Sequence, residues 1–192
     1  MKKIIWVLIF LNAALILNAQ PLSTKTGIDD SLLIQKAKEI LKYCKAKQYY
    51  KLAKYIHPTD GARFSPLAHV VAESDQILFA KDFRKPNRKT YFWGYRDNSE
   101  DSIILSIPDF FDEIIFTDKA LFHNQIEYNN FYADNDISNN MDVYYKNDDF
   151  LGFYYPGGKE PDNLDWKIVR LVFRKYKTTH YLVGIMCEIL LR

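Results

Sequence analysis

Missing motifs set the first limits on this chain. Its 192 residues hold no glycine-rich phosphate loop, no His-Glu-x-x-His helix, no Gly-x-Ser-x-Gly elbow and no pair of Cys-x-x-Cys units. The usual frames for nucleotide binding, zinc proteolysis, serine hydrolysis and structural zinc are therefore lacking. The four histidines, His57, His69, His123 and His180, fall in separate segments, so their spacing supports no metal site. Asp134, Asp136 and Ser138 alternate as calcium ligands do, but Asn139 stands where that loop needs glycine and Tyr145 where it needs a bidentate glutamate. No metal or other cofactor is expected. An excess of one charge is missing too: 26 Lys and Arg face 24 Asp and Glu, a formal net charge of +2. Nucleic-acid binding normally needs a strong positive balance, so it is not expected. The one basic cluster, Arg84-Lys85-Pro86-Asn87-Arg88-Lys89, contains Pro and Asn and reads as a solvated turn.

A long apolar run is also absent. The stretch from Ile4 to Leu17 falls short of the roughly 20 residues that span a bilayer. Met1-Lys2-Lys3 before it and Asn18-Ala19-Gln20 after it supply the cationic start and small-residue end of a secretory leader. Cleavage is expected after Ala19, leaving residues 20–192 as a single exported domain, periplasmic or secreted, with no membrane attachment. No cysteine near the cut offers itself for lipid. Losing Lys2 and Lys3 takes the formal charge from +2 to zero. The remaining chain, about 170 residues, suffices for one core but not comfortably for two. Aromatics make up 16 % of the sequence, with 14 tyrosines, which fits a lined pocket or contact surface as well as an ordinary core.

Apolar residues recur at Leu33, Ala37, Ile40, Leu41 and Cys44, then at Tyr49, Leu52, Ala53 and Ile56, the three-and-four spacing of a helical stripe. Asp29-Asp30-Ser31 would cap its start, the polar stretch Lys45 to Gln48 would break it in two, and His57-Pro58 would end it. The rest reads as strands at 63–71, 90–96, 102–107, 150–155, 166–176 and 180–191, interrupted by one helix. Ser106-Ile107-Pro108-Asp109 opens that helix as a cap with proline in the first turn, and Phe110, Phe111, Ile114 and Ile115 follow as its buried side. Asn129 to Asp149 reads as a polar connection. A helical block followed by closely spaced strands predicts an α+β domain, with N-terminal helices packed on an antiparallel sheet.

The last two strands allow a register. Val169, Leu171 and Phe173 alternate outward, and Val183, Ile185 and Cys187 alternate on the return. A three-residue loop, Lys177-Thr178-Thr179, puts both apolar sets on one face and pairs Val169 with Cys187, Leu171 with Ile185 and Phe173 with Val183. Arg170 then lies diagonal to Glu188, in position for an ion pair on an exposed sheet face. Cys44 and Cys187 point into the same helix–sheet core. An oxidising compartment permits a disulfide between them, and burial as two small hydrophobes is the alternative.

The most distinctive stretch is His57-Pro58-Thr59-Asp60-Gly61-Ala62-Arg63-Phe64-Ser65-Pro66. Asp60-Gly61 suits a tight turn, and the extended residues after it set Arg63 and Ser65 on one face with Phe64 on the other. This His-Pro-x-x-Gly-x-Arg-Phe-Ser-Pro motif, Tyr91-Phe-Trp-Gly-Tyr95, Trp166-Lys-Ile-Val-Arg-Leu-Val-Phe-Arg-Lys-Tyr176 and Tyr181-Leu-Val-Gly-Ile185 together resemble a group of exported bacterial proteins. Many of those are lipoproteins, whereas this chain lacks the lipid-bearing cysteine. The order of elements is similar to the nuclear transport factor 2-like, or cystatin-like, superfamily. That similarity implies a strongly curved antiparallel sheet forming a cone around the helices, with any ligand site at its open end.

The expected function is a non-catalytic envelope or secreted binding domain for a small molecule or an envelope protein. The alternatives are a small isomerase or lyase with an acid or histidine in the pocket, and a structural envelope component. His57, Arg63, Ser65, Trp93 and Tyr155 are the candidate contacts. Arg63 would take an anionic group through its forked donors, and Trp93 and Tyr155 would supply apolar walls. Nothing in the sequence fixes the oligomeric state.

Overall fold

The helical stripe read from the sequence is the buried side of the N-terminal block. In the computed structural model, which describes residues 28–85, 89–96, 100–116, 126–129, 140–155 and 166–189, α1 runs over Ile28–Lys45. Leu33, Ala37, Ile40, Leu41 and Cys44 all lie in the main core. Removing such side chains from water stabilises by about 1.5–3 kcal/mol for each large one. The helix already begins at Ile28, so Asp29 to Ser31 lie within its first turn rather than ahead of it. It stops at a left-handed residue, Lys47 (φ 56°), where the Lys47 amide donates to Cys44 O and the Gln48 amide to Tyr43 O, satisfying two carbonyls of the last turn. A short α2 follows at Tyr49–Leu52. The leader with its expected cut after Ala19, the turn at 86–88 and the Asp134-to-Asn139 pattern all lie outside the described residues.

Among the described residues the strands are β1 (Ala62–Ser65), β2 (Gln76–Leu78), β3 (Thr90–Tyr95), β4 (Ser102–Ser106), β5 (Ile126–Tyr128), β6 (Asp149–Tyr155), β7 (Lys167–Tyr176) and β8 (Thr179–Ile189). Six form one sheet in the order β2-β1-β8-β7-β6-β5, while β3 and β4 make a separate antiparallel ribbon. The architecture is α+β as expected, but the sheet is mixed, because β1 runs parallel to β8. Two further expectations are corrected. Over the described residues the sheet is not strongly curled, unlike the curvature the resemblance implied. The strand read at 63–71 ends at Ser65, where Pro66 has no amide to offer a ladder.

The described residues also include three short helices: α3 (Ala80–Arg84), α4 (Ile107–Phe110), which continues into a π-helical turn at Phe111–Ile115, and α5 (Met141–Tyr144). Ser106 caps α4 as read from the sequence, its hydroxyl accepting from the Asp109 amide, and Pro108 sits in the first turn. Phe110, Phe111 and Ile115 are buried, whereas Ile114 is only partly so. α5 and the residues up to Asp149 are not the plain connection expected: Met141 and Tyr145 pack with Val70, Val172, Val183 and Met186 into a second core on the far face of the sheet.

The β7–β8 register holds at Val169 opposite Cys187 and Leu171 opposite Ile185, but Phe173 faces Leu182 rather than Val183. The turn has two residues, Lys177 and Thr178, because Tyr176 pairs with Thr179. An even turn would throw the apolar sets onto opposite faces. A bulge between Val172 and Phe173 inserts one extra residue, Val183, on β8 and restores the parity. Arg170 does pair with Glu188, but not on an exposed face: both are buried, and Glu127 of β5 joins them at 3.3 Å. Gly152 lies opposite Glu127 across the β5–β6 ladder, and a Cβ at Gly152 would meet the Glu127 carboxylate at 2.4 Å.

Candidate functional site

The His57–Pro66 corner is tied down from both sides. The His57 amide donates to Leu182 O at 3.0 Å, and the Leu182 amide to Tyr55 O at 2.7 Å, stitching the end of the helical block onto β8. His57 Nδ1 accepts the Asp60 amide at 3.1 Å, which leaves the proton on Nε2. The His57 carbonyl accepts from Gly61, whose φ of 69° needs glycine. The ring lies edge-on to Tyr176 and Tyr181, with centroids 5.1 and 6.0 Å away. His57 is thus a buried brace of the turn.

Beyond the turn, β1 distributes its side chains as alternation demands. Phe64 enters the main core, and Arg63 and Ser65 take the opposite face. Ser65 Oγ donates to Asp75 Oδ2, which also accepts the Val71 amide at 3.1 Å, so Ser65 anchors the 66–75 segment. Arg63 has no such anchor. Its guanidinium lies 5.5 Å from the Tyr144 ring centroid, it makes no ion pair or side-chain hydrogen bond among the described residues, and Nη1 is buried there without a partner. An unpaired buried donor of this kind costs about 1–3 kcal/mol.

Arg63 lines a cavity of about 160 Å³ with Asp60, Ile77, Tyr144, Tyr145 and Arg174. Tyr145, 8 % exposed, also carries a buried hydroxyl with no partner, and burial pushes its pKa well above the usual phenol range. The hydroxyl fits because Gly184, next to Arg63 across the β1–β8 ladder, has no side chain: a Cβ there would lie 2.8 Å from it. The second cation, Arg174, is already neutralised. It grips Asp148 through Nε at 2.9 Å and Nη2 at 2.6 Å, and Asp60 through Nη1 at 2.8 Å. Those hydrogen bonds, Asp148 foremost, raise the Arg174 pKa, and the Thr59 hydroxyl, followed by Arg174, holds the Asp60 carboxyl below its ordinary range. The cavity therefore presents one uncompensated cation and one uncommitted hydroxyl.

A larger cavity, about 430 Å³, opens beside Tyr145 between α5 and the start of β6. Two of its three carboxylates, Asp148 and Asp149, are occupied by Arg174 and His180, and Asp142 and Lys146 line it as well, so it carries both signs of charge and no single uncompensated cation. Among the described residues no cluster of His, Cys, Asp and Glu is arranged to hold a metal.

The five sequence candidates separate. Arg63 stands in the cavity, His57 and Ser65 support the corner beside it, and Trp93 and Tyr155 belong elsewhere. Trp93 is buried, stacked on Phe110 at 4.1 Å between centroids, with its indole N–H donating to Leu105 O. Tyr155 is buried on β6 and lines neither cavity. Cys44 and Cys187 do share the main core, but both are free thiols, and Cys187 Sγ contacts Ile114 O at 3.5 Å. The sequence reading missed Tyr144, Tyr145 and Asp75. Tyr145 entered it only as a misfit in a calcium pattern.

No family model, curated protein or solved structure matches the chain. The functional reading rests on this geometry.

Proposed function

We propose that the exported domain is a non-catalytic binding module whose ligand is a small carboxylate or another compact oxyanion, held by Arg63. The observation that carries this reading is the buried, unpartnered Nη1 of Arg63 in a cavity whose other cation is spent on Asp60 and Asp148. A carboxylate would complete the guanidinium fork, and Tyr145 would donate its hydroxyl to the same anion. The volume, about 160 Å³, suits a compact ligand or the acidic tip of a larger one. Kinship with the nuclear transport factor 2-like superfamily, with its cone-shaped sheet, is part of the same proposal and rests on the order of elements, whereas the His57-to-Pro66 motif supports kinship with a group of exported bacterial proteins.

Titration calorimetry with acetate, benzoate, pyruvate and phosphate, before and after Arg63→Ala, tests it. Arg63→Ala is expected to melt within a few degrees of the parent, because the side chain holds nothing together, and to lose anion binding at least tenfold. Trp93→Ala, by contrast, empties a core position and should cost about 3–5 kcal/mol. Unfolding by Arg63→Ala, or anion binding that survives it, would show that the corner is only structural or that the site lies elsewhere.

A second reading, proton transfer in an isomerase or lyase, has one observation in its favour. Burial pushes the Asp75 carboxyl up to about 6, in range for acid–base work.

A further inference from the structure

A second cleft, of about 360 Å³, lies between the β3–β4 ribbon and the 66–75 segment and shares no lining residue with the Arg63 cavity. Its walls are mainly apolar. Pro66, Leu67 and Val71 face Phe92, Trp93 and Tyr95 across it. Phe92 and Tyr95 are 39 % and 55 % exposed and stand edge to face, with centroids 5.2 Å apart, so large ring surfaces remain in water. Exposed rings at the mouth of an apolar cleft mark a place where an apolar body gains by docking.

One buried charge gives the cleft its chemistry. Asp75 is 8 % exposed and lines it. Oδ2 is fixed by the Ser65 hydroxyl and the Val71 amide, while Oδ1 makes no hydrogen bond or ion pair among the described residues and is not sealed from solvent. The carboxylate is thus oriented by its second oxygen and left open at the first. Several other charged or titratable groups surround it. Arg63 of β1 and His69 of the loop act on it at a distance that forms no salt bridge, and Asp75 in turn acts on Tyr145. Glu73 adds negative charge at the cleft, and Arg96 at the end of β3 is drawn to Glu113 at 4.0 Å. A buried carboxylate whose desolvation the neighbouring charges offset only in part is stabilised by a ligand that brings a cation into contact with it. Aromatic faces around the entrance favour the same sign of charge.

We propose that this cleft binds a primary amine carried on an apolar or aromatic body, with the ammonium group on Asp75 Oδ1 and the body between Val71, Phe92 and Tyr95. The ammonium replaces water at an oriented acceptor, and the rings cover the remainder of the ligand. The burial that pushes Asp75 up to about 6 supports the assignment, because an adjacent ammonium would reverse that shift.

The test uses the full chain and three probes of one shape: phenethylamine, phenylethanol and 3-phenylpropanoate, measured by calorimetry at pH 8. Phenethylamine should bind at least tenfold more tightly than either isostere. Asp75→Asn, which keeps an acceptor for Ser65 and Val71, should erase that preference while leaving phenylethanol unchanged. With the parent protein alone, phenethylamine affinity should fall severalfold between pH 8 and pH 5 while phenylethanol affinity stays flat, a readout that does not depend on the variant folding. Equal affinity for the three probes, a preference for phenylpropanoate, a preference that survives Asp75→Asn, or no binding at millimolar phenethylamine would each overturn the proposal. The cleft and the Arg63 cavity share no lining residue, so Arg63→Ala should weaken the anions and keep the preference for phenethylamine over phenylethanol, while loss of the Arg63 charge shifts the absolute amine affinity through Asp75; the two sites therefore fail separately.

Discussion

Arg63 and Arg174 illustrate how little a residue's identity says about its availability. Both are arginines on the same face of one sheet, yet Arg174 is held by two carboxylates and Arg63 by none. The sequence made Arg63 legible, because alternation after Asp60-Gly61 fixes the face it takes. It did not reveal that Arg174 reaches across to Asp60, 114 positions away. Asp75 was illegible for the same reason: in Glu73-Ser74-Asp75 nothing distinguishes a solvated turn carboxylate from a buried one. Its burial has a thermodynamic consequence. An acid whose folded pKa is raised binds its proton more tightly in the native state, so its contribution to stability is complete below the unfolded value of 3.8 and is lost as pH rises through about 6. Asp75→Asn should therefore stabilise the domain at pH 8, by about 1–3 kcal/mol at the conversion of 1.36 kcal/mol per pH unit, and match the parent below pH 4. Urea melts of both proteins from pH 4 to 8 check this, and parallel pH profiles would show that Asp75 titrates normally.

At the level of elements, the terminal hairpin shows where pattern reading works and where it slips. Apolar alternation placed Leu171 opposite Ile185, since the alternative register would have turned two core rows outward. The turn length was wrong by one residue, and Val183 absorbed the difference. No periodicity encodes a bulge, because a bulge is the local failure of period two. Short elements escaped notice as well: β2, β5, α3 and α5 have three to five residues each, too few to show a repeat. The tight turn leaves its mark on Lys177, which adopts φ 56° at a cost to any residue with a Cβ. Lys177→Gly is expected to raise stability by about 0.5–1 kcal/mol, after the entropy that glycine loses on folding. A lower denaturation midpoint for that variant would show that the Lys177 contact with the Tyr176 ring, at 5.5 Å, outweighs the backbone strain.

For the molecule as a whole, the two-sided burial of β7 and β8 explains why they read as nearly continuous apolar runs. The main core covers one face, and α5 with the 66–75 segment covers the other. The same burial governs the thiols. Cys44 and Cys187 are both inside the main core and unbonded, and desolvation pushes Cys187 up to about 11 and Cys44 higher still. A thiol-specific reagent at pH 8 should find no reactive cysteine in native protein and two in unreduced protein unfolded in guanidinium. One fast-reacting native thiol would mean that the core opens, and none in denaturant would mean that a bridge forms outside the arrangement described.

The parallel seam between β1 and β8 also fixes when the binding cavity comes into being. Roughly 120 residues of chain separate Arg63 from Gly184, its neighbour across that seam, and contacts so distant in sequence slow the search for the native state. A nascent chain still missing residues 179–189 has β1 with only the three-residue β2 beside it, no Leu182 to latch the Tyr55–His57 corner, and no Val183 wall. Arg63 and Tyr145 meet only once synthesis has delivered the final strand. A chain cut before β8 lacks these walls, so the anion proposed for Arg63 should fail to bind it.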